Sequence, residues 1–279
     1  MNVHRIAAFT QNGAGGNPAG VVLANTLPDA SEMQALAAEV GYSETAFAAR
    51  MNDGTWRVRY FAPESEVPFC GHATIALGAV LAGVHGAGRY ALQLNDAAIS
   101  VEGFERDGEM RSVLSSPATR NEPVAPELLA EALTLFGYTP ADLDARLPVR
   151  RVHAGADHLL VPLNTRQSLA ALDYDLEAGR RFMLKYGFVT VAFVFREAER
   201  LFHARNAFAS GGVLEDPATG AAAAAFAGML RDLQLLADGE IVIIQGEDMG
   251  RPSRIEAAFT SGAGSSIKVS GASTPIDEA

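Results

Sequence analysis

The sequence predicts an α+β protein built from two similar domains, and three observations carry that prediction. Short apolar strands alternate with a few helices, punctuated by Gly, Pro and Asn-Asp turns. GYSETAFAAR (Gly41 to Arg50) aligns without gaps on GFVTVAFVFR (Gly187 to Arg196), sharing the Gly, an Ala-Phe pair and the closing Arg. Two helices of small residues, opening near Gly71 and Gly220, each follow such a segment. The offsets are 146 residues for Gly41/Gly187 and 149 for Gly71/Gly220. Preserved order at a near-constant offset points to two copies of one plan. Chance similarity between apolar strands is the plainer alternative.

Taken in order, Val3 to Phe9 reads as a first strand, and Gly13 to Ala24 as a Gly-rich turn entering a second. Asp29 and Ser31 start a helix with Met33, Leu36, Ala37 and Val40 on one face, and Gly41 ends it. Tyr42 to Met51 and Trp56 to Phe61 are strands around an Asn-Asp-Gly turn. A small-residue helix covers Gly71 to Ala82, and Tyr90–Leu94, Ala98–Phe104 and Met110–Ser115 are further strands. After a Pro-bearing connector the plan restarts. A helix spans Glu127 to Phe136, strand material Arg150 to Val161, a helix Asp175 to Tyr186, and a strand Phe188 to Phe195. The expected domains are 1–118 and 119–264. Ser265 to Gly271 reads as a last strand, and a return of residues 265–279 to the first domain stays open.

Composition bounds the function. The chain of 279 residues is 48% hydrophobic and 20% charged, as expected of a soluble globular protein with an ample core. A formal net charge of −11 argues against nucleic acid or an anionic membrane as partner. A single cysteine excludes an internal disulfide and multi-cysteine metal sites, and suits a reducing cytoplasm. No apolar run reaches the roughly 18 residues of a membrane span, and the N-terminus lacks a signal peptide's apolar core. The expectation is a cytoplasmic protein.

The chemistry-bearing residues gather at the two small-residue helix starts. Such a start presents unpaired N–H groups and partial positive charge, a seat for a carboxylate. The first comes with His72 and, upstream, Glu64 and Glu66; the second with Asp216, Thr219 and Gly220. Glu44 heads an apolar strand, where a carboxylate is pushed toward its protonated form and suits a general acid/base role. A surface Glu at a sheet edge is the plainer reading. His72 is either a donor to a substrate or a buried, backbone-bonded histidine. Asp216 before Pro217 is either a site carboxylate or a turn former. Asn17, after Gly15-Gly16, either places an amide in the pocket or belongs to a plain turn. Cys70 reads as an inert core thiol before a nucleophile, and one cysteine cannot serve a racemase with two opposed thiols. The second copy carries Thr190 where the first has Glu44, and Ala221 where the first has His72. A single asymmetric site between the halves is expected. His4, His85, His153, His158 and His203 show no metal-ligand spacing, so no metal is assigned, and the glycines match no nucleotide fingerprint.

Together, GNPAGVV (Gly16 to Val22), SETAF (Ser43 to Phe47), EVPFCGHAT (Glu66 to Thr74), EDPATG (Glu215 to Gly220) and QGEDMGRPSRI (Gln245 to Ile255) resemble the phenazine-biosynthesis PhzF-like isomerases, relatives of diaminopimelate epimerase. The resemblance spans nearly the whole chain. It implies two similar domains, each a curved, mostly antiparallel sheet wrapped around a central helix, and commonly a homodimer. It further implies cofactor-free proton-shift chemistry on a small carboxylate-bearing substrate. The acid/base then falls on Glu44, assisted by His72 and Asp216, with Asn17, Gly71, Thr219, Gly220 and Ala221 as substrate-binding positions. Many members carry Ser at the position of Ala221, so one substrate contact of the family is missing here, and a dihydro-hydroxyanthranilate substrate is in doubt. The alternatives are a small-ligand-binding or regulatory protein on the same fold, which deuterium exchange separates from an enzyme, and Cys70 as a hydrolase nucleophile.

Overall fold

The computed structural model describes residues 1–276. The chain divides into two compact units, Met1–Ser115 with the segment from Ser270, and Ser116–Val269. The last three residues of the tail predicted as a returning segment lie outside the described residues.

In the first unit, β1 (His4–Thr10) and β2 (Asn17–Ala24) form an antiparallel hairpin. Helix α1 (Ala30–Val40) begins where Asp29 accepts a hydrogen bond from the Glu32 amide, and ends where Gly41 takes a left-handed conformation, φ 71°. The crossover through α1 lays β3 (Thr45–Arg50) parallel to β2, and β4 (Trp56–Phe61) runs back antiparallel. Met33 and Ala37 of α1 pack on Phe47 and Phe61, which fixes the outer face of these strands. A two-residue strand β5 (Glu66–Val67) on β4 leads into α2 (Gly71–His85). Next come β6 (Gly88–Gln93), parallel to β4, and the antiparallel β7 (Ala98–Arg106) and β8 (Glu109–Ser115).

Every residue of α2 from His72 to Ala82 is buried. A helix apolar all round has no solvent face and must be enclosed, and the sheet encloses it. Small residues set how close the strands come. A Cβ on Gly103 of β7 would stand 2.2 Å from the Gly78 carbonyl oxygen, and one on Gly78 would stand 2.6 Å from Val101 Cγ2.

The second unit repeats this order. Strand β9 (Arg120–Pro123) and helix α3 (Pro126–Leu135) precede β10 (Arg150–His153), which pairs with both β9 and β11 (Asp157–Leu163). The strand material predicted from Arg150 to Val161 is a hairpin, turned at Gly155, φ 91°. Helices α4 (Arg166–Ala170) and α5 (Leu176–Tyr186) cross over to β12 (Thr190–Ala198), parallel to β11. Strand β13 (Leu201–Ala207) returns antiparallel, carries the two-residue β14 (Glu215–Asp216), and is followed by α6 (Gly220–Asp232). Strand β15 (Gly239–Gln245) lies parallel to β13, and β16 (Ser253–Phe259) antiparallel to β15. Residues Ala222 to Arg231 of α6 are all buried. On the outer face Leu133, Phe136, Phe182 and Met183 of α3, its C-terminus and α5 pack on Val161, Val191 and Phe193. Finally β17 (Lys268–Pro275) pairs antiparallel with β1, Ile6 opposite Pro275. Element for element, hairpin, crossover helix, return strand, two-residue strand and central helix recur. The protein is an α+β fold of two sheet domains.

Candidate active site

In the first unit four segments bring side chains around His72. Gly16, at φ 80°, has no room for a Cβ, which would stand 2.7 Å from the Ala8 carbonyl oxygen. That close approach seats Asn17 at the start of β2, buried, with Nδ2 3.2 Å from His72 Nδ1. The Gly20 amide donates to the Glu44 carbonyl at 3.2 Å, fixing Glu44 just before β3. Glu44 Oε2 lies 3.4 Å from His72 Nε2, with side chains 16% and 8% exposed respectively. Ser43 Oγ is also 3.4 Å from Nε2, and Cys70 Sγ is 3.4 Å from Nδ1. The Asn17 amide donates to Nδ1, so the neutral ring carries its proton on Nε2, facing Glu44 and Ser43.

His72 is the second residue of α2, and the Cys70 side chain makes no capping bond to the helix. The partial positive charge of that helix start therefore sits beside the Glu44–His72 pair. Burial of Tyr60, whose hydroxyl lies 2.7 Å from Thr74 Oγ1, pushes its phenol well above the usual range, so it stays a neutral support under the helix. Of the two upstream acids, Glu66 forms a two-bond pair with Arg59 at 2.7 and 2.5 Å, and its carboxyl is held low first by that pair. It is a fixed counter-ion, and Glu64 is exposed. Glu44, Cys70 and His72 offer ligand atoms that all lie within 4.8 Å of one another.

In the second unit the loop before α6 is tied down by Gln245, a buried residue at the end of β15. Its Nε2 donates to the Asp216 carbonyl at 2.6 Å and to Thr219 Oγ1 at 3.1 Å, while its Oε1 accepts from the Thr219 amide at 3.1 Å. Thr219 Oγ1 in turn donates to Asp216 Oδ2 at 2.5 Å. Gly246, at φ 78°, lets this loop approach, since a Cβ there would stand 2.8 Å from the Pro217 carbonyl oxygen. Thr219 precedes α6 with no side-chain cap, and Gly220 and Ala221 open the helix. Arg205 and Glu215 form a two-bond pair like Arg59 and Glu66, and Arg205 also donates to the Ala170 carbonyl at 2.8 Å.

The chain matches the family described as phenazine biosynthesis-like protein (PhzC-PhzF) over residues 6–279. An uncharacterized isomerase of Deinococcus radiodurans is 35% identical over 264 residues, covering 90% of this chain and 84% of the relative. The trans-2,3-dihydro-3-hydroxyanthranilate isomerase of Pseudomonas aeruginosa is 31% identical, covering 95% and 94%. The crystal structure of a Bacillus anthracis PhzF-family phenazine biosynthesis protein superposes with a TM-score of 0.88 at 22% identity, covering 99% and 98%. The chain belongs to the phenazine biosynthesis-like family.

As a member of that family the protein is an isomerase. The sequence motifs of the family brought Asn17, Glu44 and His72 together in one unit, and Asp216, Thr219 and Gly220 in the other. Sequence reading missed Ser43 and Gln245. Both lie inside quoted motif segments, but their contacts depend on elements distant in the chain: Ser43 meets the start of α2, and Gln245 the loop before α6. No helix among the described residues is long and apolar enough to cross a membrane.

Proposed function

We infer that the protein is a cofactor-independent isomerase that moves a proton between two carbons of a small carboxylate-bearing substrate, with Glu44 as general acid/base. The observation that carries this reading is the Glu44 carboxylate 3.4 Å from an imidazole at a helix start, both shielded from bulk water. The carboxylate takes a proton from an acidified C–H, and the electron pair left behind spreads into the conjugated system toward the substrate carboxylate. The same carboxyl then returns the proton to a different carbon, so no redox partner is consumed. His72, anchored through Nδ1 by Asn17, donates a hydrogen bond from Nε2–H to Glu44 or to a substrate oxygen as charge moves, and keeps its proton. Gly71 and the start of α2 bind anionic oxygens through backbone N–H groups.

The catalytic role of Asp216 and the substrate contacts at Thr219, Gly220 and Ala221 that the resemblance implies belong to this reading. Asp216 is held by Thr219, the start of α6 supplies further amides at Gly220 and Ala221, and Gln245 keeps that loop in shape. Ala221 offers a methyl group and no hydroxyl, which favours a substrate with an apolar edge at that point. The homodimer implied by resemblance belongs to the same reading, and light scattering of the purified protein tests it.

The test is proton exchange. Small carboxylates, beginning with the substrate that names the P. aeruginosa relative, are incubated with enzyme in heavy water and followed by NMR. Deuterium should enter at the receiving carbon, and Glu44→Gln should slow exchange by about 10³-fold or more with the fold intact. Full turnover by Glu44→Gln removes Glu44 from the chemistry. A loss in Asp216→Asn is expected as well, and unchanged kinetics there removes Asp216 from the reaction.

A further inference from the structure

We propose that Glu44, Cys70 and His72 form a binding site for a soft divalent cation, best matched by Zn²⁺, whose occupation switches the isomerase off. The binding claim stands on geometry alone; the switching claim rests on the acid/base role proposed for Glu44. One oxygen, one sulfur and one nitrogen ligand converge within 4.8 Å. Bonds of about 2.0 Å to oxygen and nitrogen and about 2.3 Å to sulfur, at tetrahedral angles, put ligand atoms about 3.3 Å (O to N) and about 3.5 Å (S to N) apart. Here Glu44 Oε2 and Cys70 Sγ stand 3.4 and 3.9 Å from the same atom, His72 Nε2. Small side-chain adjustments complete three corners of a tetrahedron and leave the fourth for water.

Chemistry selects the ion. A thiolate with an imidazole prefers zinc, cobalt or copper over magnesium and calcium, which seek oxygen cages. On binding, the Cys70 thiol releases its proton to solvent, and the His72 proton moves from Nε2 to Nδ1. Asn17 then turns its amide so that Oδ1 accepts from Nδ1–H, the outer partner a metal-bound histidine needs. Carboxylate and thiolate together balance the ion's two charges, which suits burial of Cys70 and His72. With its lone pairs on the metal, Glu44 can no longer accept a proton from carbon.

The probe is Co²⁺, titrated without oxygen into chelator-treated full-length protein. Cys70 is the chain's single cysteine, so thiolate-to-cobalt charge-transfer absorption reports this site alone. The expected result is that absorption saturating at one equivalent, displaced by Zn²⁺ and abolished in Cys70→Ser, with zinc affinity weakened at least about tenfold in Cys70→Ser and His72→Ala. Absence of the charge-transfer band overturns the site. In wild-type protein, zinc should also slow alkylation of Cys70, and an unchanged rate overturns the site even if a variant fails to fold. Zinc should arrest deuterium exchange over the concentration range that displaces cobalt; exchange persisting in the zinc-loaded protein overturns the switch. If Glu44→Gln proves active, the acid/base reading falls while the cobalt spectrum stands, so the two failures are distinct.

Discussion

His158 makes the stability of the second unit depend on pH. The ring is fully buried in β11, its Nδ1 2.8 Å from Thr190 Oγ1, and its Nε2 has no hydrogen-bond partner among the described residues. Burial lowers its pKa to about 4, against a weaker attraction from Asp157. The folded state therefore holds His158 neutral while the unfolded chain, with a pKa of about 6.5, takes up a proton first. The stabilisation is complete above pH 6.5 and is lost as pH falls from 6.5 toward 4. Integrated over pH 7 to 5, the linkage amounts to about 2 kcal/mol, or about 1 M in urea midpoint. The assay is urea unfolding at pH 7, 6 and 5, followed by circular dichroism, for wild type and His158→Asn. The amide of that variant keeps a partner for Thr190 without a titrating ring. Trp56 is the chain's single tryptophan and lies in the first unit, so its fluorescence supplies an internal reference. Equal pH dependence in the two proteins would refute the reasoning, because carboxylate effects are common to both.

Two further perturbations test the packing that positions the site. Gly103→Ala forces a Cβ onto the Gly78 carbonyl at 2.2 Å and should cost about 3 kcal/mol, read as a lower melting temperature with reduced burial of Trp56. Unchanged stability would mean that the α2 enclosure is looser than described. Glu215→Gln leaves the Arg205 guanidinium, 9% exposed, without its carboxylate, and should destabilise the second unit by about 3 kcal/mol. The double variant Arg205→Met, Glu215→Leu should recover most of that loss; a double variant no better than Glu215→Gln contradicts the assignment of the cost to an unpaired charge.

Legibility in the sequence followed the range of the forces involved. The end of helix α1 was readable to the residue because Gly41 acts on its own neighbours, and its start was narrowed to Asp29–Glu32 for the same reason. The two central helices were readable as runs of small residues after a loop, while their enclosure by a sheet came only from the resemblance. Strands β5 and β14 were not: ESEVPF and LEDPAT carry loop composition, and only pairing with β4 and β13 makes them strands. The same limit hid the metal triad. Cys70 and His72 are two residues apart, but the third ligand, Glu44, arrives from the loop that enters β3, 26 residues before Cys70. Arg59–Glu66 and Arg205–Glu215 show what the local comparison of the halves left unseen: one ion pair, made twice at matching positions of the two sheets.

That correspondence extends to a pair the second copy has lost. In the first unit Tyr60, opposite Ala46 on β3, meets Thr74 of α2, and Thr74 also donates to the Cys70 carbonyl at 2.6 Å. In the second, Asn206 occupies the place of Tyr60, opposite Ala192, and Ala223 the place of Thr74, its amide bonded to the Thr219 carbonyl. With no hydroxyl on Ala223, Asn206 Oδ1 is buried without a hydrogen-bond partner among the described residues, beside a cavity of about 10 Å³ lined by both residues. An unmet acceptor of this kind costs about 1–3 kcal/mol. Ala223→Ser supplies the missing hydroxyl at a helix-propensity cost of about 0.5 kcal/mol, for a net gain of about 1 kcal/mol. In a protein of this size the melting temperature should rise by about 2 °C. Ala225→Ser, equally buried but away from the cavity, should instead lower it. If both substitutions destabilise alike, the orphaned acceptor of Asn206 is already satisfied by trapped water, and the duplicated hydrogen bond was replaced rather than lost.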